Sequence, residues 1–173
     1  MVATAPATNH KETGMQTETQ APHERHESKT GGSSIHVERT YPHARAKVWR
    51  ALAEPALLSK WLMAAEGYAP VVGTKFVLRP IDGKAKGWRG FVECVVLAVD
   101  DGRMLQFSWE GDAGKVQTVT FTLFDDVATG GTRLVLDHDG FHGPGGFVLA
   151  KLVLAPGWRN KILVRLADAL ASL

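Results

Sequence analysis

Four segments between Trp88 and His138 alternate apolar with polar residues, turns separate them, and an amphipathic segment follows. Successive side chains on a strand point to opposite faces of the sheet, so a period of two sorts each segment into an inward and an outward row. In Trp88 to Val99 the inward row is Trp88, Gly90, Val92, Cys94, Val96 and Ala98, opposite Arg89 and Glu93. Asp100-Asp101-Gly102 suits a tight hairpin. The next strand sets Leu105, Phe107 and Trp109 inward, and the turn Gly111-Asp112-Ala113-Gly114 follows. Val119, Phe121 and Leu123 share a face opposite Thr118, Thr120 and Thr122. After Gly130-Gly131, Leu134, Leu136 and His138 share a face opposite Arg133 and Asp137, so a histidine ends an otherwise apolar inward row.

The segment Trp158 to Leu173 changes period. Trp158, Ile162, Leu166, Leu170 and Leu173 recur at helical spacings, with Arg159, Lys161 and Asp168 elsewhere. Pro156 and Gly157 mark its expected start. In the front half, Ile35, Val37, Arg39 and Tyr41 form one face of a strand and His36, Glu38 and Thr40 the other. Arg39 breaks the apolar face; burying a guanidinium is costly, so it reaches the rim, pairs with a carboxylate or faces a ligand anion. Pro42 to Leu52 reads as a short helix with Val48, Trp49 and Leu52 on its apolar side. Pro55, which fits a first turn but not a helix interior, ends it and opens a second helix carrying Leu57, Leu58, Trp61 and Leu62. A strand with Phe76 and Leu78 inward follows. The predicted order is strand, two helices, six strands and a helix: an antiparallel meander closed by a terminal helix. A curved sheet gripping one helix tends to leave a cavity between them, which directs attention to apolar ligands.

Composition narrows this. The 173 residues, 45% of them hydrophobic, suit one domain over residues 34–173. Residues 1–33 are polar, carry almost no large apolar side chain and are expected to form a disordered tail, because they cannot bury enough surface to offset the entropy of ordering. The chain has no secretory signal pattern and no apolar run long enough for a bilayer, so a cytoplasmic protein without membrane attachment is expected. The single cysteine, Cys94, excludes an internal disulfide or a cysteine zinc cluster, and parity places it inside. A net charge of +2 without a basic stripe argues against nucleic acid; Lys84, Lys86 and Arg89 read as a solvated loop.

His138 is the candidate for a functional polar group. An imidazole facing a ligand could hydrogen-bond it or move a proton near neutral pH; the alternative is a histidine serving structure. His138, Asp139 and His142 are chemically suited to a metal, but neighbouring side chains at a strand end diverge, and no metal or other cofactor is expected. Trp88, Phe107, Trp109, Phe121, Phe141 and Trp158 are candidate lining for a flat or lipidic ligand, or packing between sheet and helix. Gly143-Pro144-Gly145-Gly146 before the apolar stretch Phe147 to Leu154 reads as a gate or as a plain loop entering a short helix. The chain lacks a phosphate-binding glycine loop, a nucleophile elbow and a paired-carboxylate motif.

Five ordered stretches carry a resemblance: Arg39-Thr-Tyr-Pro-His-Ala-Arg-Ala-Lys-Val-Trp49, Ala53-Glu-Pro-Ala-Leu-Leu-Ser-Lys-Trp61, Gly87-Trp-Arg-Gly-Phe-Val92, Gly131-Thr-Arg-Leu-Val-Leu-Asp-His-Asp-Gly-Phe141 and Gly157-Trp158. Together they resemble the activator-of-heat-shock-ATPase homologue family of the START-like, or SRPBCC, superfamily. The resemblance implies an α+β helix-grip fold, a long C-terminal helix across a curved antiparallel sheet of about seven strands with two short helices. It also implies relatives that bind lipids, sterols or polyketides, that cyclise aromatic polyketides, or that form part of a chaperone activator. The leading expectation is a domain binding a hydrophobic or aromatic small molecule between sheet and helix. The alternatives are a cyclase- or lyase-like enzyme using His138, and an interaction module whose partner is a chaperone ATPase. An edge strand at Thr74 to Arg79 would offer a homodimer contact.

Overall fold

A strand that alternates along its length has one face to bury, and this chain buries such faces within one sheet of seven strands. The computed structural model describes Met1 and residues 33–83, 88–111 and 114–173. The expected tail, the Lys84 and Lys86 pair, and Asp112-Ala113 of one turn lie outside the described residues. The elements are β1 (Ser33–Tyr41), α1 (Arg45–Ala53), α2 (Pro55–Trp61), β2 (Ala64–Glu66), β3 (Lys75–Arg79), β4 (Val92–Asp100), β5 (Met104–Glu110), β6 (Val116–Asp126) and β7 (Gly131–Phe141), followed by a helical run, α3, over residues 143–171. The strands form one antiparallel sheet in the order β1-β7-β6-β5-β4-β3-β2. This is the helix-grip architecture.

Parity holds through the middle of the sheet. Leu105, Phe107, Val119, Phe121, Leu134, Leu136 and His138 are fully buried on the helix side, and register places Phe107 opposite Val119, and Phe121 opposite both Leu105 and Leu136. The aromatic rings fill this face edge to face. Phe76 meets Phe107 at 5.5 Å, and Phe121 meets Trp61 at 5.8 Å and Trp158 at 6.0 Å, while His138 lies tilted against Phe141 at 4.7 Å. Such geometries let the positive edge of one ring face the negative face of another.

At the end of β7 a register shift against β1 puts Phe141 in the core beside His138 and leaves His142 exposed; three further departures from the expected pattern have local reasons. β4 begins at Val92, so Trp88 and Gly90 precede the strand. A bulge between Val96 and Ala98 then shifts the register, and a bulge sends the following side chains to the other face; Val99 packs on the core where Ala98 was expected, and Leu97 is exposed. The third is the sheet edge. The first strand after the helices is the three-residue β2, for which the sequence shows no pattern; it pairs with β3, and β4 covers the other side of β3. β3 is therefore an interior strand, with Val77 to Arg79 paired on both sides or covered by β2, so the expected edge at Thr74 to Arg79 is not the sheet's edge; the edges are β1 and β2. Arg39 occupies the half-buried rim of β1, its guanidinium 5.9 Å from the Tyr41 ring centre, and makes no ion pair among the described residues.

The closing helix begins far upstream of Pro156, a correction to the sequence expectation. The run alternates α-helical turns, Gly143–Val148, Ala155–Gly157 and Leu163–Ala171, with two π-helical stretches, Leu149–Leu154 and Trp158–Ile162. Pro156 lacks an amide hydrogen, and its ring would clash with a carbonyl one α-turn earlier. The wider turn before it relieves that conflict: the Ala155 amide donates to Ala150 O, five residues back. The glycine-rich stretch at Gly143 is thus the first turn of this helix. Ala150 and Ala155 face the core while Phe147, Val148, Leu152 and Val153 are exposed. Tyr41 ties the helix down by donating its hydroxyl to Leu163 O at 2.9 Å.

Candidate functional site

The sheet and helix do not close fully on one another. A cavity of about 480 Å³ remains between them, beyond the aromatic core. Its sheet wall is Val92, Trp109 and Gln117, from the adjacent strands β4, β5 and β6. Its helix wall comes from the two π-helical stretches and the residues around them, including Leu149, Leu154, Trp158 and Ile162. Leu62 and Met63 after α2, Pro80 to Gly83 after β3, and Trp88 with Gly111 complete it. The π-helical turns thus lie where the helix borders the cavity, a common placement for such turns.

Of the residues singled out from sequence, Trp88, Trp109 and Trp158 line this cavity. Phe107, Phe121, His138 and Phe141 do not; they are buried in the core beside it. Trp109 and Trp158 stand 5.7 Å apart. His138 sits directly behind them, 5.5 Å from the Trp109 ring and 6.0 Å from the Trp158 ring. The Trp158 indole N–H donates to His138 Nδ1 at 3.1 Å, which fixes the imidazole proton on Nε2. His138 Nε2 is sealed and has no partner among the described residues. Burial favours the neutral ring and pulls its pKa down to about 3 from the ordinary 6.5. A group held neutral in this way orients Trp158 and does not exchange protons near neutral pH.

The remaining candidates lie outside the cavity wall. Asp139 and His142 are exposed while His138 points inward, and no three metal-ligating side chains gather among the described residues. Cys94 is buried, and desolvation pushes its thiol pKa well up, so the reactive thiolate is suppressed. His36 lies on the outer face, where Asp137 at 2.6 Å and Glu38 at 3.1 Å raise its pKa.

Two features position the mouth. Asp82, in the turn after β3, bridges to Lys161 at 2.9 Å and to Arg165, tying that turn to α3; these cations hold its carboxyl below the usual range. On the other side Arg89 donates to Glu110 O and to Phe91 O, pairs with Glu93 at 3.1 Å and stacks over the Phe91 ring at 4.2 Å. Arg89 therefore clamps the segment carrying Trp88 to the end of β5. The Gln117 contribution was missed in the sequence reading although its parity with Val119 and Phe121 was available; the contributions of Leu62, Met63 and Ile81 depend on three-dimensional closure that no periodicity encodes.

The comparisons agree with this fold. A family model described as activator of Hsp90 ATPase homolog 1-like protein matches residues 42–170. A protein from Mesorhizobium loti of known crystal structure is similar over 81% of this chain and 98% of its own, with 30% identity and a TM-score of 0.68. A Rhodobacter sphaeroides protein matches over 83% of this chain and 97% of its own, with 24% identity and a TM-score of 0.65. The Aha1 dimer from Colwellia psychrerythraea matches over 80% of this chain and 96% of its own, with 20% identity and a TM-score of 0.63. These last two likenesses concern fold. Among curated proteins none is significantly similar. Among the described residues no helix is long and apolar enough to cross a membrane. With its sheet, its long closing helix and a family match over most of its length, this chain belongs to the activator of Hsp90 ATPase homolog 1-like family.

Proposed function

We propose that this protein binds a hydrophobic or aromatic small molecule in the cavity between its sheet and its closing helix. The observation that carries this reading is the cavity of about 480 Å³ with three indole rings, Trp88, Trp109 and Trp158, in its wall. Ligand sites are commonly concave, mostly apolar and of this order of volume, with a few polar anchors. Flat rings supply large contact area with little conformational entropy to lose on binding. The turn at Asp82 and the helix it is tied to form one side of the mouth, with exposed Ile81 and Val153 beside it.

The cyclase- or lyase-like alternative needs an imidazole that meets substrate and titrates near neutral pH. His138 is sealed behind Trp109 and Trp158 and held neutral, which favours binding over proton transfer.

The test is the melting temperature of the full chain against a panel of fatty acids, sterols, flavonoids and polyketide-like aromatics. A ligand at 100 times its Kd adds about 2.7 kcal/mol of stability, or roughly 8 °C for a domain of this size. A saturable shift of that kind, reduced in a Trp158→Ala variant, is the expected result. A flat response across the panel would remove the reading.

A further inference from the structure

The chain has five tryptophans, and their indole N–H groups divide into two sets. Trp49 donates to Asp101 Oδ1 at 2.8 Å, Trp61 to Ala51 O at 2.9 Å, and Trp158 to His138 Nδ1 at 3.1 Å. Trp88 and Trp109 have no partner among the described residues. Trp109 is buried and Trp88 half-buried, and an indole N–H taken from water normally finds an acceptor. The two that lack one are also two that line the cavity.

Gly111 brings them to one place. A methyl group built at Gly111 would stand 3.7 Å from Trp109 Nε1 and 3.9 Å from Trp88 Nε1, so both nitrogens border the same small space, left open because residue 111 has no side chain. Gln117 stands directly opposite Trp109 in the strand register, and directly opposed residues share a face. Its side chain is buried, lines the cavity and has no hydrogen bond among the described residues. Among the buried side chains of the described residues, His138 Nε2 is the atom that is both sealed and partnerless, whereas Trp109 and Gln117 face the cavity as part of its lining. This end of the apolar cavity therefore presents two indole donors, with an amide beside them that can both donate and accept.

We propose that the cavity selects apolar molecules carrying an oxygen acceptor of the ketone or quinone type, with that oxygen held by Trp88 Nε1–H and Trp109 Nε1–H beside Gly111 and the Gln117 amide alongside. This rests on the ligand-binding reading of the cavity and adds to it the chemistry of the ligand. A hydrocarbon of the same shape leaves both indole donors desolvated and unpaired, which is the strongest form of discrimination a mostly apolar site can make.

The matched probes are 9-fluorenone and fluorene, which differ by one carbonyl oxygen. Their affinities for the full-length protein are measured by equilibrium dialysis alongside melting temperature. Fluorenone is expected to bind about tenfold or more tightly than fluorene, the size of one to two net hydrogen bonds. Gly111→Ala places a methyl at ordinary contact distance from both nitrogens and is compatible with the fold; it is expected to cut that preference to about threefold or less. Trp109→Phe and Trp88→Phe keep a ring while deleting each donor, and each is expected to lower the preference. A preference that survives all three variants overturns the donor assignment. Equal binding of the two probes also overturns it while leaving the cavity reading intact. Binding of neither probe, with no ligand found in the wider panel, overturns both.

Discussion

His138 shows how one side chain can be chemically capable and structurally committed. It sits on β7 opposite Val119 on one neighbouring strand and Ile35 on the other, fully enclosed. In the unfolded chain its imidazole takes up a proton near pH 6.5; in the folded chain it does so only near pH 3. Between those values the unfolded state binds more protons, so folding stability falls as pH drops from 6.5 toward 3. The loss attributable to His138 is roughly 2 kcal/mol at pH 5. His36 acts with the opposite sign, because its raised pKa adds stability as it becomes protonated. The contribution of His138 is therefore read from a difference: urea unfolding at pH 7.5 and pH 5, compared between the natural protein and His138→Gln. The variant is expected to lose about 2 kcal/mol less over that interval. Equal losses in both would show that the imidazole is free to titrate in the folded state and would reopen the proton-transfer role.

At the scale of elements, legibility followed periodicity. β5, β6 and β7 can be read by parity through their long middle stretches, each buried on one side, so the inward reading of Phe107, Phe121 and His138 matches the structure. The bulge in β4 could not be read, since Leu97, Ala98 and Val99 are all apolar and alternation gives no sign of the extra residue. β2 has only Ala-Ala-Glu, too short to show a period. The beginning of α3 was hidden because glycine and proline favour turns locally, whereas burial of Ala150 and Ala155 against the sheet outweighs that preference. The candidate site shows the same division. Trp88, Trp109 and Trp158 were legible as aromatic residues on the helix side, but the convergence of two of them at Gly111 joins a segment before β4 to the end of β5. A second glycine shows the opposite situation. At Gly131, where β7 starts beside the end of β1, an added Cβ would collide with the Tyr41 carbonyl. Gly131→Ala must push the two strands apart and is expected to cost on the order of 2 kcal/mol, measured by chemical denaturation. A cost below about 0.5 kcal/mol, the range of an ordinary surface substitution, would mean that the junction relaxes without loss.

For the whole molecule, the sheet's order places the longest strand pairings and the proposed binding site at different ends. β7 and β6 pair along eleven-residue strands, and β1 pairs with β7 through most of its nine residues. On the other side β2 has three residues and β3 five. The cavity wall draws on β4, β5, the start of β6 and the turn after β3, with helical turns whose hydrogen bonding is already widened. The interior of the sheet at β6 and β7 is anchored by the aromatic core and does not need a ligand to complete it. Regions with fewer buried contacts and shorter ladders open at lower free energy, so amide exchange is expected to be slowest in β6 and β7 and faster in β2, β3 and residues 80–83. A ligand in the cavity would add contacts on the weaker side. Its binding should slow exchange in residues 80–83, around Trp88 and in the helical stretch Leu149–Leu154, while leaving β6 and β7 nearly unchanged below the limit set by global unfolding. Hydrogen exchange of the fluorenone-bound and free protein measures this region by region. Protection confined to the outer face of the sheet would place the ligand elsewhere, whereas protection gathered at the turn after β3 and the π-helical stretches would mean that binding stiffens the part of the fold that packing alone leaves least constrained.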